Sequence, residues 1–99
     1  MGNDKGDWPT KAEMLVMRLL HGESGGMYGL EIVEASEGAV KRSSVYVLLG
    51  RLQEKGFVKS VTPKGDQQHP GLLRPIYRLT ADGTRVLAAA DAIGLAIGV

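Results

Sequence analysis

The sequence predicts a mainly α-helical domain with one two-stranded β-hairpin, in the order α-α-α-β-β-α. Three observations support this fold class. An apolar stripe with the i, i+3, i+4, i+7 spacing of a helix runs through residues 45–52. The apolar periodicity changes to two after Gly56, and helix-starting residues stand at Thr10 and Thr80. The 99 residues correspond to one domain.

The composition is that of an ordinary globular chain, with 43% hydrophobic and 23% charged residues. No apolar run in the sequence approaches the length that spans a bilayer, and the N-terminus lacks the apolar core of a secretory leader. The chain contains no cysteine, which excludes disulfides and thiolate metal ligands. These features are compatible with the cytoplasm, which is the expected location.

Charge is unevenly distributed along the chain. Residues 1–40 contain three basic and seven acidic side chains, residues 41–78 contain eight and two, and residues 79–99 contain one and two. The net charges of the three parts are therefore −4, +6 and −1, in agreement with the overall +1. Positive charge gathered in the middle third indicates a polyanionic partner. Solvated Lys and Arg side chains on a helix and a hairpin are the alternative explanation.

The first helix is predicted to start with a capping box, formed by Thr10 and Glu13, and to run to about His21. Residues 1–9 before it are expected to be a flexible arm. Its apolar residues form two stripes, Ala12, Leu15, Val16 and Leu19 in one and Met14, Met17 and Leu20 in the other. A helix that is apolar on two sides is usually buried on two sides, so we expect the second side to contact another subunit.

A short helix from about Tyr28 to Ala35 and a turn at residues 36–39 lead to the third helix. The hydroxyl group of Ser43 or Ser44 is expected to start this helix by accepting from free backbone N–H groups. Gly56 is expected to end it in a left-handed turn. Two helices joined by a tight turn make a helix-turn-helix.

The third helix is expected to be anchored by one face and to present the other. The buried face consists of Val45, Leu48, Leu49 and Leu52. The opposite face carries Arg42, Ser43, Tyr46, Val47 and Gly50, with Lys41 at its N-terminal end. A small, hydroxylated and basic face suits insertion into a DNA major groove. An amphipathic helix with a solvated outer face is the alternative.

A hairpin is predicted to follow, with one strand at residues 57–62, a loop at residues 63–71 and a second strand within residues 72–79. The apolar members of the first strand are Phe57, Val58 and Val61, and four basic residues lie on the hairpin or beside it, Lys59, Lys64, Arg74 and Arg78. Such a hairpin is the wing of a winged helix-turn-helix, which contacts phosphates or the adjacent minor groove. An ordinary surface hairpin is the alternative. The last helix starts at Thr80 and is expected to mediate dimerisation.

Three segments in one order and spacing resemble those of a known family. Gly26-Met-Tyr-Gly-Leu-Glu-Ile32 resembles the segment MYGYEI, and Ser43-Ser-Val-Tyr46 with Leu49, Arg51, Leu52 and Gly56 resembles GTLYPALRRLEEEG. Arg74-Pro-Ile-Tyr-Arg-Leu-Thr80 with Asp82-Gly83 resembles RKYYRLTEEG. All three are segments of the PadR-like transcriptional regulators, and the similarity spans roughly residues 12–90. Two residues depart from the family pattern: Val47 replaces the usual Pro, and Gly50 replaces a larger residue.

The resemblance implies a dimeric repressor of bacterial or phage type, without the longer C-terminal helical domain of larger members. It implies that Ser43, Ser44 and Tyr46 approach DNA, while Arg42 and the wing contact phosphates. The predicted DNA-binding residues are Lys41, Arg42, Ser43, Ser44, Tyr46, Val47, Arg51, Lys64, Arg74 and Arg78. The predicted dimerisation residues are Met14, Met17, Val86, Ala90 and Ile93. Trp8 is the candidate contact for a small-molecule effector between subunits.

The expected organisation is an arm at residues 1–9, a DNA-binding winged helix-turn-helix at 10–80 and a dimerisation helix at 81–99. The expected function is sequence-specific regulation of transcription through a pseudo-palindromic operator. A winged helix that binds only other proteins is the alternative. An enzyme is not expected, and no cofactor or metal site is predicted, because His21 and His69 are isolated and Glu13 and Asp82 fit helix starts.

Overall fold

The computed structural model describes residues 8–62 and 74–96. Its elements are α1 (Lys11–His21), α2 (Gly29–Ala35), α3 (Arg42–Lys55), β1 (Val58–Val61), β2 (Ile76–Leu79) and α4 (Ala81–Ala96). This order confirms the predicted fold class. The predicted loop at residues 63–71 and residues 1–7 of the predicted arm lie outside the described residues. Among the helices described here, none is long and apolar enough to cross a membrane.

Helix α1 begins with the predicted capping box. The N–H of Glu13 donates to Thr10 Oγ1 at 3.1 Å, and the N–H of Thr10 donates to Glu13 Oε1 at 3.0 Å. The predicted division into two apolar stripes was wrong, because the face that packs on the core consists of Glu13, Val16, Met17 and Leu20 while Ala12 is exposed. Met17, which was predicted as a dimer contact, is fully buried within the single chain. It therefore has no surface to offer a partner.

A tight turn connects α2 to α3 and sets the start of α3. The hydroxyl of Ser36 donates to the carbonyl of Val33 at 2.7 Å and accepts from the N–H of Val40 at 2.9 Å. Between these two bonds, Glu37 and Gly38 adopt left-handed conformations with φ of 53° and 96°. The reversal therefore occupies only residues 36–40 and delivers the chain to α3 at a defined point.

Helix α3 starts two residues earlier than a cap at Ser43 would place it. Its N-cap is Lys41, which makes no side-chain capping bond, so the predicted role of Ser43 or Ser44 as the cap was wrong. Val40 and Val45, before the cap and at the fourth helical position, are both buried in the core. This spacing is that of a hydrophobic staple, which fixes the entry of the chain by apolar packing. The helix ends at Gly56 with φ of 84°, as predicted.

The two strands pair antiparallel, with Lys59 opposite Arg78 and Val61 opposite Ile76. Strand β1 is shorter than predicted, whereas β2 lies within the predicted residues 72–79. Val61 lies on the outer face of the sheet, 48% exposed. A third backbone segment joins the sheet at one residue. The N–H of Met27 donates to the carbonyl of Tyr77 at 3.0 Å, and the N–H of Tyr77 donates to the carbonyl of Met27 at 2.8 Å. The chain before α2 is thereby fastened to β2.

Thr80 caps α4 and also ties it to the end of α3. Its hydroxyl accepts from the N–H of Gly83 at 3.0 Å and donates to the carbonyl of Gly56 at 2.7 Å. The N–H of Thr80 donates to the carbonyl of Phe57 at 3.0 Å. The first turn of α4 thus lies against the α3–β1 junction, which holds the hairpin at a fixed angle to α3.

One hydrophobic core joins these elements. Its buried members are Val16, Met17, Leu20, Met27, Ile32, Val40, Val45, Leu48, Leu49, Leu52, Phe57, Val58, Tyr77 and Leu87. All four predicted inward residues of α3 are among them. Since α3 is anchored through this whole face, its opposite face is free to contact a partner.

Candidate nucleic-acid interface

The outermost line of α3 consists of Ser43, Val47, Gly50 and Glu54. Their spacings of four, three and four residues place them on one side of a helix, opposite the buried line. Ser43, Val47 and Glu54 are exposed, and the isopropyl group of Val47 is among the most exposed large apolar side chains described, at 54%. If Gly50 carried a Cβ atom, that atom would have no neighbouring atom within 4 Å. The centre of this face is therefore narrow and bare.

Basic side chains flank this face, two at its N-terminal end and one in its C-terminal half. Lys41, Arg42 and Arg51 are all exposed. None of them takes part in the ion pairs found among residues 8–62 and 74–96, which involve Arg18, Lys55 and Arg85 instead. Cations that form no ion pair with the described residues are available to an external anion. The predicted basic end of α3 is thus present on the surface, while Ser44 is half-buried beside it.

Tyr46 lies on the flank of α3 rather than on its outermost line. A Cβ on Gly29 would come within 2.7 Å of the Tyr46 hydroxyl and within 2.6 Å of its ring, so the ring packs directly on the first residue of α2. The side chain is still 51% exposed. If Tyr46 contacts DNA as predicted, it would do so with the exposed edge of its ring, because the ring is packed against α2.

Arg74 and Tyr28 connect the loop end of β2 to α2. The guanidinium carbon of Arg74 lies 4.4 Å from the centre of the Tyr28 ring, which is a cation–π contact. Tyr28 is also the N-cap of α2, and its N–H donates to Glu31 Oε1 at 2.8 Å. The predicted wing cation is therefore held next to the start of α2, and it remains exposed.

The side chain of Arg78, another predicted DNA-binding residue, is hydrogen-bonded at the base of the sheet. One guanidinium nitrogen donates to the carbonyl of Ser24 at 3.0 Å. The same side chain borders a small cavity of about 160 Å³ together with His21 and Glu23. Lys64, the predicted cation of the wing tip, lies outside the described residues.

An ion pair that no local sequence pattern predicts lies at the far end of α3. Lys55 Nζ donates to Glu13 Oε1 at 2.6 Å and to the carbonyl of Trp8 at 3.2 Å. The side chain of Glu13 is 1% exposed and that of Lys55 15% exposed. The sequence pattern predicts only a helix-start role for Glu13. The signal that could have identified its second role is its spacing, since residues 13, 16, 17 and 20 follow one helix face.

Burial raises the pKa of the Tyr77 phenol, and the nearby charge of Tyr46 raises it further. A raised pKa in the folded state means that the stability due to the neutral phenol is complete below the unfolded value of about 10. It is lost as the pH rises through the folded pKa. We therefore expect the free energy of unfolding to decrease above about pH 10, and to decrease less steeply in Tyr77→Phe. Urea unfolding at a series of alkaline pH values measures both curves, and parallel curves would contradict the assignment.

Helix α3 is supported on one side and bare on the other, follows a tight turn and precedes a two-stranded hairpin. This arrangement is the winged-helix fold, a DNA-binding fold class. The chain belongs to the PadR-like family of transcriptional regulators, because the model described as "Transcriptional regulator PadR-like family" matches residues 16–89. It is therefore a regulator rather than an enzyme. No curated protein sequence matches the chain significantly.

Solved structures agree with this assignment. A PadR-like transcription factor from Bacteroides fragilis is 27% identical, with a TM-score of 0.73 over 86% of this chain and 81% of that chain. A PadR family regulator from Eggerthella lenta is 29% identical, with a TM-score of 0.67 over 85% and 74%. MepR of S. aureus, solved as a complex with DNA, is 19% identical with a TM-score of 0.74 over 95% and 70%. The last similarity concerns the fold alone.

Proposed function

We propose that the protein is a sequence-specific repressor that binds double-stranded DNA as a homodimer in the cytoplasm. In this proposal α3 of each subunit enters a major groove, and the hairpin contacts phosphates beside it. The observation that carries the proposal is the outer face of α3, with exposed Ser43 and Val47 next to Lys41 and Arg42, cations that lack an ion pair in the described part of the chain. Phosphate contacts would position the helix, and the outer line would contact base edges.

The dimer is proposed to form through α1 and α4. Val86 and Ala90 are half-buried and Ile93 is 54% exposed, at spacings of four and three residues along α4. Met14 of α1 is also half-buried. An apolar line of this kind on a terminal helix is suited to packing against its copy. Arg18 and Asp91, 2.5 Å apart, join α1 to α4 and so support both helices as one surface.

Selection of bound sequences from a random duplex pool tests this function. We expect enriched sequences to be inverted repeats whose half-site centres are roughly 34 Å apart, one turn of DNA, because a two-fold dimer presents two α3 helices. If about five phosphates are neutralised per dimer, log K should decrease with log salt with a slope of about −4 to −5. No enrichment together with a slope near zero would contradict DNA binding and favour the protein-binding alternative.

Arg42→Ala is expected to weaken binding to every duplex and to make the salt slope less steep by about 2, since each dimer loses two phosphate contacts. Arg85→Ala is the matched control. It removes the same charge from the exposed start of α4, where Arg85 pairs with Asp82. The control variant should retain the wild-type slope. Equal slopes for Arg42→Ala and the wild type would show that Arg42 does not contact phosphate.

We also propose Trp8 as the contact for a small-molecule effector. It is 42% exposed, it is the single tryptophan of the chain, and its carbonyl accepts from Lys55 at the end of α3. A ligand bound against the Trp8 ring would affect the position of α3 through the hydrogen bond between the Trp8 carbonyl and Lys55. Such binding should change the tryptophan fluorescence, and a flat response to a broad set of ligands would count against the assignment.

A further inference from the structure

Val47 occupies the centre of the outermost line of α3, yet it has no group that donates or accepts a hydrogen bond. Its side chain is 54% exposed, although burial of a valine is ordinarily favourable. A side chain of this kind can distinguish base pairs only through apolar contact. In the major groove the apolar group on a base edge is the C5 methyl of thymine.

Gly50 keeps the surface around Val47 open. In a helix, a side chain leans toward the N-terminus and covers the preceding turn. Gly50 follows Val47 by three residues, so a larger residue there would cover the surface next to the valine. A Cβ at Gly50 would meet no atom within 4 Å, so no packing within the chain requires glycine at this position. The bare position lets another surface approach the backbone beside Val47.

We propose that Val47 contacts the C5 methyl of one thymine in each half-site and thereby makes that thymine a specificity determinant. The inference deepens the proposed DNA-binding function and rests on it. Ser43 lies one turn earlier on the same line, at the N-terminal end of α3 where a recognition helix meets base edges. Ser43 is therefore placed for a polar contact next to the apolar contact of Val47. Tyr46 is held against α2 and contributes from the side.

Replacement of single thymines by deoxyuridine in the selected duplex tests the inference, because this change removes one methyl group and leaves the hydrogen-bonding groups of the base in place. We expect one thymine in each half-site to respond: its replacement in a single half-site should raise the Kd of the wild type roughly 4-fold. Replacement in both half-sites should raise it roughly 15-fold. Every other thymine should respond less.

The same pair of duplexes is then measured with Val47→Ala. We expect the ratio of the two Kd values to approach one, since the shortened side chain no longer reaches the methyl. Val61→Ala is the matched control, because Val61 is a similarly exposed valine, at 48%, on β1. This control should keep the wild-type ratio. Circular dichroism and the urea midpoint establish that both variants are folded.

The outcomes separate the inference from the function on which it rests. A wild type that binds the selected duplex but responds to no thymine replacement would overturn the role of Val47 and leave DNA binding intact. A Val47→Ala ratio equal to that of the wild type would overturn it as well. Failure to select any duplex would overturn the proposed function itself, and the inference with it.

Discussion

Gly83→Ala is expected to lower the free energy of unfolding by about 3 kcal/mol, the upper end of the cost of overpacking. A methyl group at this position would overlap the carbonyl oxygen of Phe57 and lie 3.0 Å from its carbon. Both atoms belong to the backbone, and the carbonyl also accepts the N–H of Thr80. The clash cannot be relieved by a side-chain rotation, so the first turn of α4 must separate from the α3–β1 junction.

Gly50→Ala is the matched control for this effect. It makes the same chemical change inside a helix, but the added methyl would meet nothing within 4 Å. Alanine favours the helix over glycine by about 0.5–1 kcal/mol, so this variant should be more stable than the wild type. Urea unfolding followed by circular dichroism measures both. If Gly83→Ala unfolds at the wild-type urea concentration, the described contact between α4 and Phe57 is wrong.

Lys55→Met is expected to destabilise the fold by about 3–5 kcal/mol, because it leaves Glu13 as an uncompensated buried charge. Glu13 Oε1 would keep only the N–H of Thr10, and Oε2 already has no hydrogen-bond partner among the described residues. In the double variant Glu13→Gln with Lys55→Met, the buried charge is absent. That variant should therefore recover most of the lost stability.

The exposed ion pair of α1 and α4 provides the control. Arg18 and Asp91 are 50% and 46% exposed, and water screens such pairs, so Arg18→Met should change the free energy of unfolding by less than about 1 kcal/mol. The three variants and the wild type are compared at neutral pH by urea unfolding. Equal losses for Lys55→Met and Arg18→Met would show that the Glu13–Lys55 pair is not buried in solution.

Local patterns were sufficient to predict the helices and their order. Thr10 and Glu13 mark the start of α1, Gly56 marks the end of α3, and the inward residues of α3 follow one apolar period. Each of these features involves residues within about two helical turns of one another. Their physical causes, capping and one-sided burial, act over that same range, which is why the sequence displays them directly.

The features that the sequence did not reveal depend on contacts between distant segments. The buried face of α1 includes the carboxylate of Glu13, which looks like an interruption of the apolar period until Lys55 supplies its partner. Tyr46 carries no sequence mark of its packing on Gly29. The bridge of Met27 to Tyr77 involves one residue pair and thus leaves no strand pattern around Met27. All three contacts depend on how distant segments are placed in the tertiary structure, which local sequence patterns do not show.

The bridge between Met27 and Tyr77 also bears on self-association. An unpaired strand edge can recruit a strand from another molecule and start aggregation. Met27 occupies the outer edge of β2 at its second residue, so a foreign strand cannot align along that edge without displacing it. The other edge belongs to β1, which has four residues and carries Lys59. The bridge thus protects one edge of this two-stranded sheet against fibrous assembly, while short length and a lysine protect the other.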